Sequence, residues 1–383
     1  MHGTLEASFR VEWRPLAEIA PLAEPWRALA GRALEPNVFY EPAFALAAAP
    51  VFGRDVTAGL VWSRTAPARL LGFFPGRIRR RRYGLGPPVL VGWTHPFAPL
   101  GTPLVDRDAG AAVIAAWLDH LAERADLPPL LLLPYLPTTG ALAQALAAAL
   151  AARGGKTVEL GGHQRALLAP RDGREDYLER AIGTKKRKEL RRQRERLADA
   201  GPLASRLVHE GVAVTAALAD FLALEASGWK GRAGTAARSD DAVRSFMEQA
   251  VTALAGEHKV EVARLTLAEH PIAALVTLRS GDTAWCWKIA YDEAFARASP
   301  GVQLILEATR ALLADRSIVR VDSCATAGHP LIDHLWRERL ALADHLVRPG
   351  PGRQFAFALA YTLERARRAA IACAKRLRDR LRA

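Results

Sequence analysis

The chain has 383 residues, 50% hydrophobic and 24% charged, the balance of a globular protein long enough for two domains. No run of about 18 apolar residues occurs, and the first residues lack a basic segment followed by an apolar one, so neither a spanning helix nor a secretory leader is expected. The net charge of +13 points to an anionic partner (a phosphorylated cofactor, nucleic acid or membrane surface) or else to arginine-rich codon usage.

In chain order, FRVEWRPL (9–16) predicts a strand and Ile19 to Arg32 a helical stretch. Pro42 suits a first helical turn, where its missing N–H costs nothing, so a helix is expected from there. Residues 55–82 predict two strands. They end in the basic run Arg77, Arg79, Arg80, Arg81 and Arg82, either a solvated strand end or a phosphate contact. The Pro- and Gly-rich 85–106 predicts an ordered loop that could line a cleft. A helix at 110–124, a buried strand at 127–137, a helix at 140–154 and a strand pair or one bent strand at 158–170 follow.

The connection 171–201 carries the strongest charge feature. Thr184, after Gly183, is placed to cap a helix beginning at Lys185. Leu178, Ile182, Leu190 and Leu197 fall near one face, and lysines and arginines cover the rest. Cations at a helix start oppose the macrodipole. That favours a use for Lys185, Arg187 and Lys188, such as clamping phosphates; a solvated basic face is the alternative. A helix ending at Ser227 leads into a loop opened by Trp229-Lys230-Gly231, with Trp229 either packed on the core or at a site. A helix at 241–254 precedes the most regular part of the chain.

There, VEVARLTLA (260–268), IAALVTLRS (272–280) and TAWCWKIAYDE (283–293) predict a β-meander. A loop at 294–301, a helix at 302–314, a buried strand at 318–324, a short helix at 329–340 and a last strand at 343–348 complete the unit. Alternation along the third meander strand puts Trp285, Trp287, Ile289 and Tyr291 on one face and Cys286, Lys288 and Ala290 on the other. The fold class is α/β (α+β), with mixed central sheets flanked by helices. Residues 9–170 echo the same order. The end of the chain, 354–383, predicts a basic amphipathic helix that either docks on the protein or lies on an anionic membrane. Cys286, Cys324 and Cys373 are far apart in apolar surroundings, which suits packed thiols in a reducing cytoplasm.

The ordered pieces Trp229-Lys230, Ser299-Pro300-Gly301 before a helix, Val321-Asp322-Ser323 and Trp336-Arg337-Glu338-Arg339-Leu340 resemble the CelD/BcsL-type acetyltransferase family. That family lies in the GNAT superfamily and is related to the Fem-type aminoacyl transferases. The resemblance implies tandem GNAT-like domains: a degenerate one at 1–170, an acyltransferase at 171–350 with the basic helix 184–199, and the C-terminal helix at 351–383. It implies acetyl-CoA or another acyl-CoA as co-substrate. The acceptor would be a small molecule or a polysaccharide or cell-envelope building block, and the setting a bacterial cytoplasm or the periphery of the inner membrane. A Fem-like transferase using aminoacyl-tRNA on the basic helix, and an inactive scaffold at the membrane, are the alternatives.

In the fold so implied, a splayed strand, here TAWCWKIAY, pairs with the pantetheine arm. The next helix start cradles the pyrophosphate with N–H groups, which selects Ser299, Gly301, Val302 and Gln303. Acyl transfer also needs a proton acceptor and groups that hold the acceptor. Asp322, Lys288, Tyr291 and Glu225 are the catalytic candidates. Trp229, Lys230, Lys185, Arg187, Lys188 and Arg337 are the substrate-binding ones, with Arg337 standing where the family has a Tyr-Lys pair. No metal is expected, since His329 and His334 are five apart and do not share a helical face.

Overall fold

The computed structural model describes residues 9–170 and 173–382. The residues read above for a leader lie largely outside it, as do the first two of the basic connection. The chain divides into two compact units. One comprises residues up to 37, 54–162 and from 342 onward; the other comprises 38–53 and 163–341. A division at 170 and 350 follows chain order, whereas the compact units are discontinuous, and the C-terminal helix belongs to the first.

The first unit begins with β1 (Phe9–Pro15) and α1 (Ala23–Ala30). The chain then gives α2 (Pro42–Phe52) to the second unit, with Pro42 at its first turn as expected. It returns with β2 (Thr57–Ser63), β3 (Leu70–Arg79), β4 (Val89–Gly92), β5 (Leu104–Val105), α3 (Gly110–Glu123), β6 (Leu131–Pro137) and α4 (Ala141–Ala151). The stretch 85–106 is thus not all loop, because β4 and β5 pair with β3 inside it. Next, β7 (Lys156–Leu168) is one strand, with Gly161 left-handed at φ 63°.

The second unit continues with α5 (Tyr177–Ala181), α6 (Thr184–Asp199), β8 (Leu203–Val208), α7 (Gly211–Ser227), α8 (Trp229–Arg232) and α9 (Asp241–Gly256). The meander is β9 (Val260–Leu267), β10 (His270–Ser280) and β11 (Thr283–Tyr291), followed by α10 (Pro300–Ala314) and β12 (Arg320–Asp322). β13 (Glu338–Arg348) leads back to the first unit, where α11 (Gln354–Arg382) ends the description.

The two units share one topology. In the first, β1, β2, β3 and β4 are antiparallel neighbours, β6 adds parallel to β4, and β13 adds antiparallel to β6. In the second, β8 to β11 are antiparallel neighbours, β12 adds parallel to β11, and β7 adds antiparallel to β12. The parallel pair needs a crossover, and a helix supplies it each time: α3 before β6 and α10 before β12. The tandem of alike domains is therefore real, and the sixth strand of each unit comes from the other half of the sequence.

Local details correct three expectations. Thr184 is the first residue of α6 rather than its cap, and Gly183 stands before it with no side-chain cap. Trp229-Lys230-Gly231 forms the helical turn α8 instead of opening a loop. Residues 329–337 make turns, not a helix: Trp336 is buried and its Nε1 donates to Thr309 Oγ1 (3.0 Å), while Arg339 donates to the carbonyls of Asp333, Trp336 and Glu338. Those carbonyls are satisfied without a helix, and β13 starts at Glu338.

In the second unit α2 is held by an aromatic cluster. Phe44 meets Phe246 at 5.4 Å and Trp287 at 5.5 Å, and Phe39 meets Trp285 at 6.0 Å, all edge-on. Asp240 caps α9, accepting from the N–H groups of Ala242 and Val243.

In the first unit the inner half of α11 packs through Phe357 and Ala360, and the buried Glu364 takes a two-pronged bond from Arg82 (2.8 and 2.9 Å) and one from Arg368 (2.9 Å). Arg82 of the basic run is thus structural. Burial pushes the Glu364 carboxyl up, but the hydrogen bond and charge of Arg82, with the charge of Arg368, hold it below its usual range. Breaking such a pair from one side costs about 3–5 kcal/mol, so Glu364→Gln should lose about that much in urea unfolding. A depressed carboxyl stabilises the fold above its unfolded pKa, about 4.3, and the gap between the proteins should close as pH falls through the lower folded value.

Candidate active site

The site is built on β11 and what leaves its two edges. Thr283–Trp285 pair with Arg320–Asp322 of β12, but from Cys286 to Tyr291 the ladder runs to β10 alone among the described residues. β12 turns away at once: the Ser323 N–H donates to Ala166 O (3.2 Å), and Cys324 adopts φ 52°. Two strands that start together and part leave an open backbone edge, the splayed pair expected from the sequence.

A β-bulge re-aims the side chains along that edge. Cys286 lies opposite Thr277 and Lys288 opposite Val276, so Trp287 is an extra residue in β11. The predicted alternation fails beyond it. Trp285 faces Phe39 and Trp287 faces Phe44 of α2, whereas Ile289 and Tyr291 pack with Cys286 on the α10 side. A one-residue slip moves every later side chain to the other face.

Lys288 is partly buried and lies within the electrostatic reach of Lys230, Glu225 and Cys324. Loss of water, then the Lys230 charge, pushes its ammonium down to about 8. Glu225, near the end of α7, is buried and holds two partners: its carboxylate accepts from Lys230 Nζ (2.5 Å) and from the Ala237 N–H (2.8 Å). With both oxygens engaged it positions Lys230 rather than standing ready for a proton. Trp229 is 61% exposed, with its N–H on Glu293 (2.8 Å) and Lys230 Nζ 6.0 Å from its ring centre. It is not a core residue, and its face is open to a ligand. Lys288, Lys230, Glu225 and Trp229 therefore form one cluster.

Other candidates stand elsewhere. Asp322 is buried in an ion pair with Arg165 and accepts the Cys324 N–H (2.9 Å), which fits a strand-end lock and not a proton acceptor. Tyr291 lies against α10, its ring 3.2 Å from where a Cβ on Gly301 would sit. Arg337 lies in the turn before β13, its N–H on Tyr177 OH (2.8 Å) and its guanidinium on the Arg180 carbonyl. Lys185 and Lys188 are exposed on α6, and Arg187 reaches Glu179 at 3.9 Å.

The phosphate cradle is not formed as expected. Ser299 is left-handed and its N–H is on Ala296 O (3.0 Å). The N–H groups of Val302 and Gln303 both bond the Ser299 carbonyl (2.9 and 3.1 Å), and Pro300 has none. The Gln303 side chain donates to Leu190 O (2.8 Å), tying α10 to α6. Gly301 is buried under Tyr291, Leu331 and Ile289.

Three participants were missed in the sequence. Glu293 holds Trp229 and Arg232, Arg165 holds Asp322, and Cys324 has a thiol pushed well up by burial and by the neighbouring Asp322. Only pairing across the fold reveals them. No group of residues able to hold a metal occurs among the described residues.

Residues 184–329 match the family model of the acetyltransferase (GNAT) domain. This segment resembles a GNAT acetyltransferase domain, which supports an acyltransferase, and the splayed pair β11–β12 with α10 lies inside it. No curated protein matches the chain. Among solved structures the chain is similar in fold to FemX, with TM-score 0.55 and 10% identity over 85% of this chain and 95% of that one. A conserved protein of unknown function from Bacteroides thetaiotaomicron has TM-score 0.53 and 10% identity over 88% and 99%. The C-terminal domain of a putative lysylphosphatidylglycerol synthetase from Agrobacterium fabrum has TM-score 0.50 and 12% identity over 89% and 95%.

A lysine held near pH 8 in the GNAT domain penalises folding whenever it is charged. The penalty is full below about 8 and fades as pH climbs toward the unfolded value of about 10.4. Lys288→Met should therefore stabilise the protein at pH 7 by about 3 kcal/mol, with the gain shrinking above pH 8. Urea unfolding at pH 7 and pH 10 measures both.

Proposed function

We propose that the GNAT domain transfers an acyl group, from acetyl-CoA or another acyl-CoA, to an amine or hydroxyl of a small-molecule or polysaccharide or cell-envelope building block. The CelD/BcsL-type order of motifs supports that acceptor class. The observation that carries the reading is Lys288 on the open edge of β11, with an ammonium pushed down to about 8. Near pH 8 a large share is neutral and able to take a proton. The acceptor nitrogen or oxygen attacks the thioester carbonyl carbon and its proton passes to Lys288 Nζ. The carbon–sulfur bond then breaks, and the leaving thiolate takes that proton up. Backbone N–H groups on the edge of β11 that β12 leaves would face the developing oxyanion, and Lys230 and Trp229 hold the acceptor.

Aminoacyl-tRNA is the second donor to consider. The occupied N–H groups at Ser299, Val302 and Gln303 favour it, as they leave little to bind a pyrophosphate. The exposed Lys185, Lys188, Arg192 and Arg196 of α6 would meet an RNA backbone. No single helix among the described residues is long and apolar enough to cross a membrane. Peripheral contact would fall to residues 369–378 of α11, which are exposed throughout and include Lys375, Arg376 and Arg378. Truncation after Arg368 should then abolish co-sedimentation with anionic vesicles.

The test is acyl transfer measured with acetyl-CoA and with aminoacyl-tRNA across pH. The rate should rise as pH passes about 8 and then level off. Lys288→Met and Lys288→Arg should each lose about 10²–10⁴-fold. A Lys288→Met protein within threefold of the parent would sink the assignment, and turnover with aminoacyl-tRNA alone would move the donor.

A further inference from the structure

A cavity in the second unit lies apart from Lys288, Lys230 and Trp229. It lies between α5–α6 and the outward face of α10, and has a volume of about 710 Å³. That is the size of a small-molecule site, ~300–1,000 Å³. Its floor is apolar, formed by Leu178, Leu190, Leu306 and Leu313. Its rim is cationic: Arg187, Arg191, Arg310 and Arg316 line it, against only Glu175 and Glu179.

The rim charges are weakly used. Arg187 reaches Glu179 and Arg316 reaches Glu175 only at 3.9 Å, and Arg191 reaches Glu195 at 3.6 Å. Exposed pairs of this kind contribute little. Arg310 is exposed and pairs with no acid among the described residues, and the buried Nε of Arg187 has no hydrogen-bond partner. Two other arginines are already engaged. Arg194 holds Glu307, and Arg174 donates to the carbonyls of Leu312, Leu313, Asp315 and Ile318. Arg174 thus cancels the negative end of α10, which would otherwise repel an anion there.

We infer that this cleft is a second ligand site for a nucleotide-type anion, whose ring rests on the leucine floor and whose phosphates meet the arginine rim. Planar guanidinium groups suit both halves: they fork onto phosphate oxygens and stack on rings. The inference does not rest on the proposed acyl transfer, since its residues are separate from Lys288, Lys230 and Trp229.

The experiment is calorimetric titration of the full chain with ADP, inorganic pyrophosphate and adenosine, at low and moderate salt. ADP should bind at least about tenfold more tightly than either fragment. Arg310→Glu should weaken ADP by about tenfold or more, with an unchanged melting temperature. Arg192→Glu makes the same charge change on α6 outside the cleft and should stay within about threefold, or ~0.65 kcal/mol. Absence of ADP binding overturns the inference. So does equal weakening by Arg192→Glu, which would mean a diffuse basic surface. ADP binding that ignores Arg310→Glu and is displaced by acetyl-CoA would place the nucleotide at the β11 edge instead. Pyrophosphate binding as tight as ADP would remove the ring from the site.

Discussion

Past Trp285 the strand ladder of β11 runs to β10 alone among the described residues, and much of the second unit serves to keep it so. Unpaired backbone groups must be met by water or by a ligand. A strand left open in the interior of a fold is an aggregation hazard unless its neighbours guard it. Here β12 is short and is drawn away by Ala166 and by the buried Asp322–Arg165 pair. Asp322 matters because it fixes where the two strands part.

The bulge at Trp287 couples this opening to the placement of Lys288. An unbroken strand would send Lys288 to the α10 side, into a cluster of leucines and isoleucines. The extra residue sends it toward α7 and α8, where Glu225 has already fixed Lys230. A charged lysine between another lysine and apolar walls is costly, and that cost is what brings its proton affinity near neutrality.

Much of this was legible in the chain. The meander, α10, the order of elements and the doubling of the fold follow from runs of Val, Ile and Leu, from turn residues and from helical spacing. Lys288 was visible as a lysine between apolar neighbours, and Glu225, Trp229 and Lys230 through the resemblance to the acetyltransferase family. The bulge was not legible, since no Gly or Pro marks it and it arises from pairing with β10. The helix expected from 302 starts two residues earlier, at Pro300, and which N–H groups stay free depends on the left-handed Ser299. The segment 329–337 has helical spacing, but the Trp336–Thr309 bond and Arg339 decide its shape from outside the window that local propensity reads.

The exchange of β7 and β13 sets an order of events at the ribosome. The first unit cannot finish its sheet when its own half of the chain emerges, because β6 still lacks the neighbour that residues 342–347 provide. The second unit already has β7 and can close once β12 is made. Synthesis therefore completes the sheet of the second unit first, and that of the first waits, with β6 unpaired along one side, for residues 342–347 to arrive.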